Sequence, residues 1–263
     1  MTHRFARRIG GPPRRGITPA RGRAGEPTHT TGAAVPDGPV MEACARCGKR
    51  IDLCVCAALD PVPLRHFVLI LQHPQEQDVE LGTARIAAAQ LPGSVVKVGL
   101  SWPNLKAALG READPRRWGV LYLGPAKAPA GQGTPGSPGL NGGLLALDKQ
   151  GVPLPDQTTG IAGLEGIILL DGTWSQAKAL WWRNPWLLKC RRLVLFPKSR
   201  SRYGTLRREP RRESVSTIEA AALALAHLEG DPHLVDRLLK PFDLLLAKLK
   251  ARPRGPHPLP DGG

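Results

Sequence analysis

The chain reads as an α/β protein, a mostly parallel sheet flanked by helices, with a small cysteine-bearing module ahead of it. Three observations predict this. Short runs rich in Val, Ile and Leu alternate with helical stretches from Leu64 onward, the pattern of strand–helix units. Ile167-Ile168-Leu169-Leu170 is apolar without alternation, as expected of a strand buried on both faces. Four of the five cysteines fall between Cys44 and Cys56, a spacing suited to a metal rather than to a core.

Residues 1–40 are rich in Arg, Gly, Pro and Thr with almost no large apolar side chains. They are expected to form a disordered arm, with its arginines available to RNA phosphates. Cys44-x-x-Cys47 and Cys54-x-Cys56, with Gly48 after the first pair, predict a tetrahedral zinc module over 41–60. An iron–sulfur cluster is the chemical alternative. Cys190 stands apart and reads as a free structural thiol.

The main domain is expected over 61–250. His66 to Gln72 predicts a strand running into His73-Pro74-Gln75-Glu76, a loop at a carboxyl end. Gly82-Thr83 opens a helix to Leu91, stopped by Pro92-Gly93. Ser94 to Val98 and Trp118 to Leu123 predict two further strands, with a short helix from Asn104 to Leu109 between them. Residues 124–163 are dense in Gly, Pro, Ala and Ser and predict a mobile insertion, with a short strand from Leu144 to Asp148. After the central strand, Asp171-Gly172 marks a turn. Thr173 then caps a helix, with Gln176 completing a capping box. Asn184-Pro185 ends that helix. Arg192 to Pro197 predicts a strand, and Lys198 to Arg212 a basic loop. Ser216 and Glu219 form a second capping box. Asp231-Pro232 predicts the start of a last helix that Pro241 kinks or splits. Residues 251–263 form a Pro/Gly tail.

The formal net charge of +15, from 37 Lys and Arg against 22 Asp and Glu, with a pI near 10.3, predicts a polyanionic partner, most simply nucleic acid. No apolar segment follows the basic N-terminus as in a secretory signal, and no apolar run approaches a membrane span. A cytoplasmic setting is the default expectation. The Gly-rich fingerprint of ordinary dinucleotide sites is also missing.

Five blocks occur together and in order: the cysteine pairs; His73-Pro74-x-Glu76 with Gly82-Thr83-Ala84; Asp171-Gly172-Thr173-Trp174; Tyr203-x-x-Leu206-Arg207-x-Glu209-Pro210; and Ser216-Thr217-Ile218-Glu219-Ala220. In this the sequence resembles the DTW-domain proteins, tRNA-uridine aminocarboxypropyltransferases related to the SPOUT methyltransferases. The resemblance implies S-adenosylmethionine as donor of a 3-amino-3-carboxypropyl group to N3 of a tRNA uridine, and a knotted C-terminal cofactor site. Methyl transfer, a ribosomal RNA target, or a non-enzymatic zinc-bearing RNA-binding protein are the other readings.

Under that resemblance Asp171 is the first candidate for the base that takes the N3 proton, with Glu219 second. Asp171 could instead hold the donor's amino group. Trp174 would stack on adenine or uracil, or close the pocket. The backbone of Leu170, Leu206 and Ala220, with Thr173 and the hydroxyls of Ser216 and Thr217, would hold the donor. Arg207 would pair with its carboxylate or with a phosphate. His73 and Glu76 would position the target base. Arg202, Tyr203, Arg208, Arg211 and Arg212, with Trp181, Trp182 and Trp186 near, would meet RNA, although at least one of these tryptophans reads as core.

Overall fold

The chain is described by a computed structural model over residues 42–121, 143–197, 200–204, 206 and 215–252. The expected arm, residues 253–263 of the expected tail, residues 124–142 of the insertion, and Arg207, Arg208, Arg211 and Arg212 lie outside the described residues. So does most of the basic loop expected from Lys198 to Arg212. Ala251, placed in the tail, instead ends the last helix.

The strands are β1 (Phe67–Gln72), β2 (Val95–Val98), β3 (Trp118–Leu121), β4 (Leu144–Leu147), β5 (Gly166–Asp171) and β6 (Arg191–Leu195). They form one sheet in the order β2-β1-β5-β3-β6-β4. Every pairing is parallel except β4 with β6. β5 is flanked on both sides, so its uniformly apolar sequence fits a central position. It can pack there because Gly166 has no side chain. A Cβ at Gly166 would stand 2.5 Å from the Phe67 carbonyl oxygen and 2.8 Å from the Trp118 ring.

Successive strand residues point to opposite faces. Val68, Ile70, Ile167 and Leu169 meet α1 (Ala84–Gln90), α5 (Thr217–Glu229) and α6 (Leu234–Ala251). Leu69, Leu71 and Ile168 meet α2 (Leu105–Leu109) and the 3-10 turn Pro185–Lys189. The result is a layer of helices on each side of the sheet, the α/β architecture expected. The cysteine module joins the first face through Leu53 and Val55.

Two expectations are corrected. The stretch 143–163 is not irregular: it forms β4, which pairs with β6, and α3 (Gln157–Ile161), which Asp156 caps through a bond from the Thr159 N–H. Leu144, Ala146 and Leu147 are apolar enough to bury despite the surrounding glycines. The last helix, α6, is a single element through Pro241, with His233 rather than Asp231 at its cap. A proline removes the bond to the carbonyl four residues back. Here the Arg237 carbonyl instead accepts from Nε2 of the fully buried Gln90 at 3.1 Å, so the cost of Pro241 is largely met from α1.

Candidate functional site

Asp171 ends β5, in register with Gln72, which ends the adjacent parallel strand β1. Both side chains are buried, at 7 % and 2 % exposure. Gln72 Nε2 donates to Asp171 Oδ2 at 2.8 Å, and the Thr217 hydroxyl donates to Oδ1. The carboxylate is therefore held from both sides by neutral donors, one from the sheet and one from the first turn of α5. Each carboxylate oxygen keeps a further lone pair for a ligand. The side-chain amide oxygen of Gln72, Oε1, is buried and has no hydrogen-bond partner among the described residues. An orphan of that kind costs about 1–3 kcal/mol, so the orientation of Asp171 is kept at a measurable expense.

Three further links draw the family loops together. The His73 N–H donates to the Asp171 carbonyl at 2.9 Å. Gln176 Nε2, on α4 (Trp174–Arg183), donates to Gln75 Oε1 at 3.0 Å. The Ile218 N–H donates to Thr83 Oγ1 at 3.2 Å. The loop after β1, the turn after β5 and the start of α5 thus meet at the carboxyl ends of β1 and β5, where open α/β sheets place ligands.

The expected site residues divide at this point. Both capping boxes form, Thr173 with Gln176 and Ser216 with Glu219. Glu219 Oε2 accepts from the Ser216 N–H (2.8 Å), the Ser216 hydroxyl (2.6 Å) and the Ser201 hydroxyl (2.7 Å), while Oε1 accepts from the Arg202 N–H (2.7 Å). Its carboxylate anchors a loop, and the Ser216 hydroxyl is engaged with it. The Thr217 hydroxyl is likewise directed at Asp171 rather than outward.

Tyr203, expected to meet RNA, is instead 2 % exposed, donates to the Leu81 carbonyl at 2.9 Å and packs edge-on against Phe242. Arg202 pairs with Asp236 and Asp243 of α6. Leu206 and Ala220 pack against the core on the α5 side and Leu170 against the other face. His73 Nδ1 accepts from the Gln75 N–H at 3.3 Å, capping the 3-10 turn Pro74–Glu76 in which Glu76 is buried. Trp174 is half-buried, with Lys178 Nζ 5.9 Å from its ring centre. A groove of about 510 Å³ opens beyond Glu219, between the end of β6 and the helices α5 and α6, with Arg200 and Arg202 on its wall.

Gln72 was missed in sequence. Its only signal was a polar residue closing an apolar strand next to a family loop.

The four clustered cysteines come together, with all four sulfurs within 4.8 Å of one another. Cys44 and Cys56 are 3.5 Å apart and Cys47 and Cys54 3.8 Å. Tetrahedral bonds of about 2.3 Å to a metal would space sulfurs about 3.8 Å apart, so the set fits one ion. Gly48, at φ +69°, turns the chain where a Cβ would strike Arg85. The N–H groups of Cys47 and Arg46 lower the Cys44 thiol to about 6. Lys49 is pushed down to about 8 by burial, and its Nζ donates to the Val79 and Glu80 carbonyls at 3.1 and 2.8 Å. That ties the cysteine module to the loop that follows Glu76. Burial pushes Cys190 up to about 12, consistent with an inert thiol.

The model of the DTW domain matches residues 41–250. Proteins named tRNA-uridine aminocarboxypropyltransferase 2 are similar to this chain. That of Macaca fascicularis is 30% identical over 210 residues, 77% of this chain and 61% of its own length. That of Drosophila melanogaster is 32% identical over 208 residues, 77% and 72%, and that of Mus musculus 30% over 247 residues, 90% and 73%. The matched region thus spans less than two thirds of the macaque protein. No solved structure matches significantly. Among the described residues, no helix is long and apolar enough to cross a membrane.

Proposed function

This chain belongs to the DTW-domain family, and we propose that it is an S-adenosylmethionine-dependent transferase that places a 3-amino-3-carboxypropyl group on N3 of a tRNA uridine. The observation that carries this reading is the Asp171 carboxylate, gripped by Gln72 and Thr217 at the strand ends where the family loops converge.

Uridine N3 is a poor nucleophile while protonated, so transfer needs a base and an aligned carbon–sulfur bond. Asp171 takes the N3 proton. The N3 lone pair then forms a bond to the γ-carbon of the methionine portion, the carbon–sulfur bond breaks, and its electron pair returns to sulfur in neutral methylthioadenosine. Gln72 and Thr217 keep the carboxylate in one rotamer, so little reorganisation accompanies proton transfer. Trp174 closes the pocket over the bases. The backbone of Leu170, Leu206 and Ala220, with Thr173, is assigned to its donor side, and His73 and Glu76 to the side of the target base.

Glu219 and Ser216 act through position: they hold the start of α5, and with it Thr217, against Asp171. The four cysteines take zinc in a structural role, since an iron–sulfur cluster interposes several atoms between its cysteine sulfurs and would not fit sulfurs this close. Reduced thiols of this kind suit a cytoplasmic protein.

Nucleoside mass spectrometry of bulk tRNA incubated with the chain and S-adenosylmethionine, beside Asp171→Asn, tests the proposal. An aminocarboxypropylated uridine that falls by at least a hundredfold in the variant is expected. A methylated uridine would overturn the regiochemistry, and an unmodified tRNA pool would overturn the activity. Metal analysis should give one zinc per chain, lost in Cys44→Ser.

A further inference from the structure

From the stripe of tryptophans on α4, we infer that the outer face of this helix is a stacking track for unpaired RNA nucleotides adjoining the target uridine. The inference rests on the proposed RNA substrate and adds where the RNA lies.

At 100° per residue, Trp174, Lys178 and Trp182 share one stripe, with Trp181 half-buried at its edge against the core, while Ala177 and Leu180 face inward. Trp182 is 78 % exposed, the most exposed large apolar side chain among the described residues, and Leu188 beyond it is 53 % exposed. Trp186, by contrast, is buried, with its Nε1–H donated to the Trp102 carbonyl at 2.9 Å. An exposed indole is not needed for this fold and leaves a large apolar face in water.

The surrounding charge selects the partner. From Trp174 to Lys189 the chain carries Lys178, Arg183 and Lys189 and no Asp or Glu; Arg191 and Arg192 follow on β6, where they also donate to the Gly160, Ala162 and Lys149 carbonyls. Two of these cations already lie against the indoles: Lys178 Nζ is 5.9 Å from the Trp174 ring centre, and the Arg192 guanidinium carbon 5.8 Å from that of Trp181. Aromatic faces interleaved with cations bind single-stranded nucleic acid, the rings stacking on bases and the cations meeting phosphates. Sequence-specific RNA recognition favours such splayed, unpaired nucleotides. The stripe begins three residues after Asp171, so a base stacked on it lies within a few nucleotides of one presented to that carboxylate.

The test uses the full chain, bulk tRNA and S-adenosylmethionine. RNA affinity is measured by fluorescence anisotropy across a salt series, and donor affinity by calorimetry. Trp182→Ala should weaken RNA binding about tenfold with an unchanged salt slope, and Trp182→Tyr should restore most of it. Lys178→Ala should weaken binding less and flatten the slope by about 0.7. Donor affinity should stay within twofold of wild type in all three. RNA affinity unchanged in Trp182→Ala and Lys178→Ala, with modification still proceeding, would sink the track and leave the proposed activity standing. A concentration-dependent dimer that dissociates in Trp182→Ala, with RNA affinity intact, would reassign the face to self-association. A wild-type chain that binds RNA through this stripe but neither binds the donor nor modifies tRNA would instead overturn the activity alone.

Discussion

Two helix starts border Asp171, and both carry the same local motif with different consequences. At α4, Thr173 and Gln176 form a neutral capping box with Thr173 in the open. At α5, Ser216 and Glu219 form one that is buried and charged, with 4 % exposure at each residue. The first closes a helix end and makes a single exposed tie, from Gln176 to Gln75. The second also fastens the 201–203 loop, through Ser201 and the Arg202 N–H, and presents Thr217 to Asp171. A motif that satisfies backbone groups locally becomes a tertiary joint when its acid is desolvated, because a buried carboxylate must find several donors at once.

The largest expected effect tests that contrast. Glu219→Gln removes the charge from four hydrogen bonds and turns one carboxylate oxygen into an amide NH2 group where donors point. Hydrogen bonds to charged groups are worth about 1.5–3 kcal/mol each, so even partial loss should cost on the order of 3 kcal/mol. Gln176→Ala at α4 should cost about 1 kcal/mol or less. Thermal or urea unfolding of the two variants compares them directly. A Glu219→Gln protein that melts like wild type yet has lost activity would make Glu219 a chemical group and end the contrast.

Next in size are the two groups that hold Asp171. Gln72→Leu removes the orphaned side-chain amide oxygen but also takes a donor from the buried Asp171 carboxylate, so the two effects oppose each other and stability should change little, while kcat falls by about tenfold or more. Thr217→Val should lower kcat similarly and cost about 1 kcal/mol. Loss of stability with intact kcat in Gln72→Leu would reduce Gln72 to a strand residue. These variants sharpen the comparison by separating what α5 contributes to folding from what it contributes to orienting the acid.

The sequence carried the elements and the convergence of motifs well. Ile167 to Leu170 read as a strand buried on both faces, and both capping boxes were legible as Ser/Thr followed three residues later by Glu/Gln. Burial of the polar groups was not legible. Glu219 and Tyr203 sit in family blocks and looked like contact residues, but periodicity says nothing of whether a loop folds inward. The Gln90–Arg237 bond that accommodates Pro241 joins residues 147 apart, so no local window contains it. Trp182 and Trp186 are four residues apart in one tryptophan-rich run and have opposite fates, because the run leaves the helix at Asn184, whose buried amide donates to the Leu180 and Leu100 carbonyls.

The smallest expected effect concerns the far end of α5, where a second acid makes an equally dense joint in a more open place. Glu229 accepts from the Arg65 and His66 N–H groups and from both of their side chains. Burial pushes its carboxyl up, but the hydrogen bonds from His66 and Arg65 outweigh this and hold it below the usual Glu range. A carboxyl whose pKa is lower folded than unfolded adds stability above its unfolded pKa and loses it as pH falls through the folded one. From pH 7 to about 5 this group should therefore leave stability unchanged. Below about pH 4.3, the unperturbed Glu value, the wild-type protein should weaken more steeply than Glu229→Gln, which has no proton to gain there. Urea unfolding at half-unit steps from pH 6 to 3 reads the two slopes. Parallel acid limbs would show that the pair at the end of α5 holds the fold equally well when Glu229 is protonated.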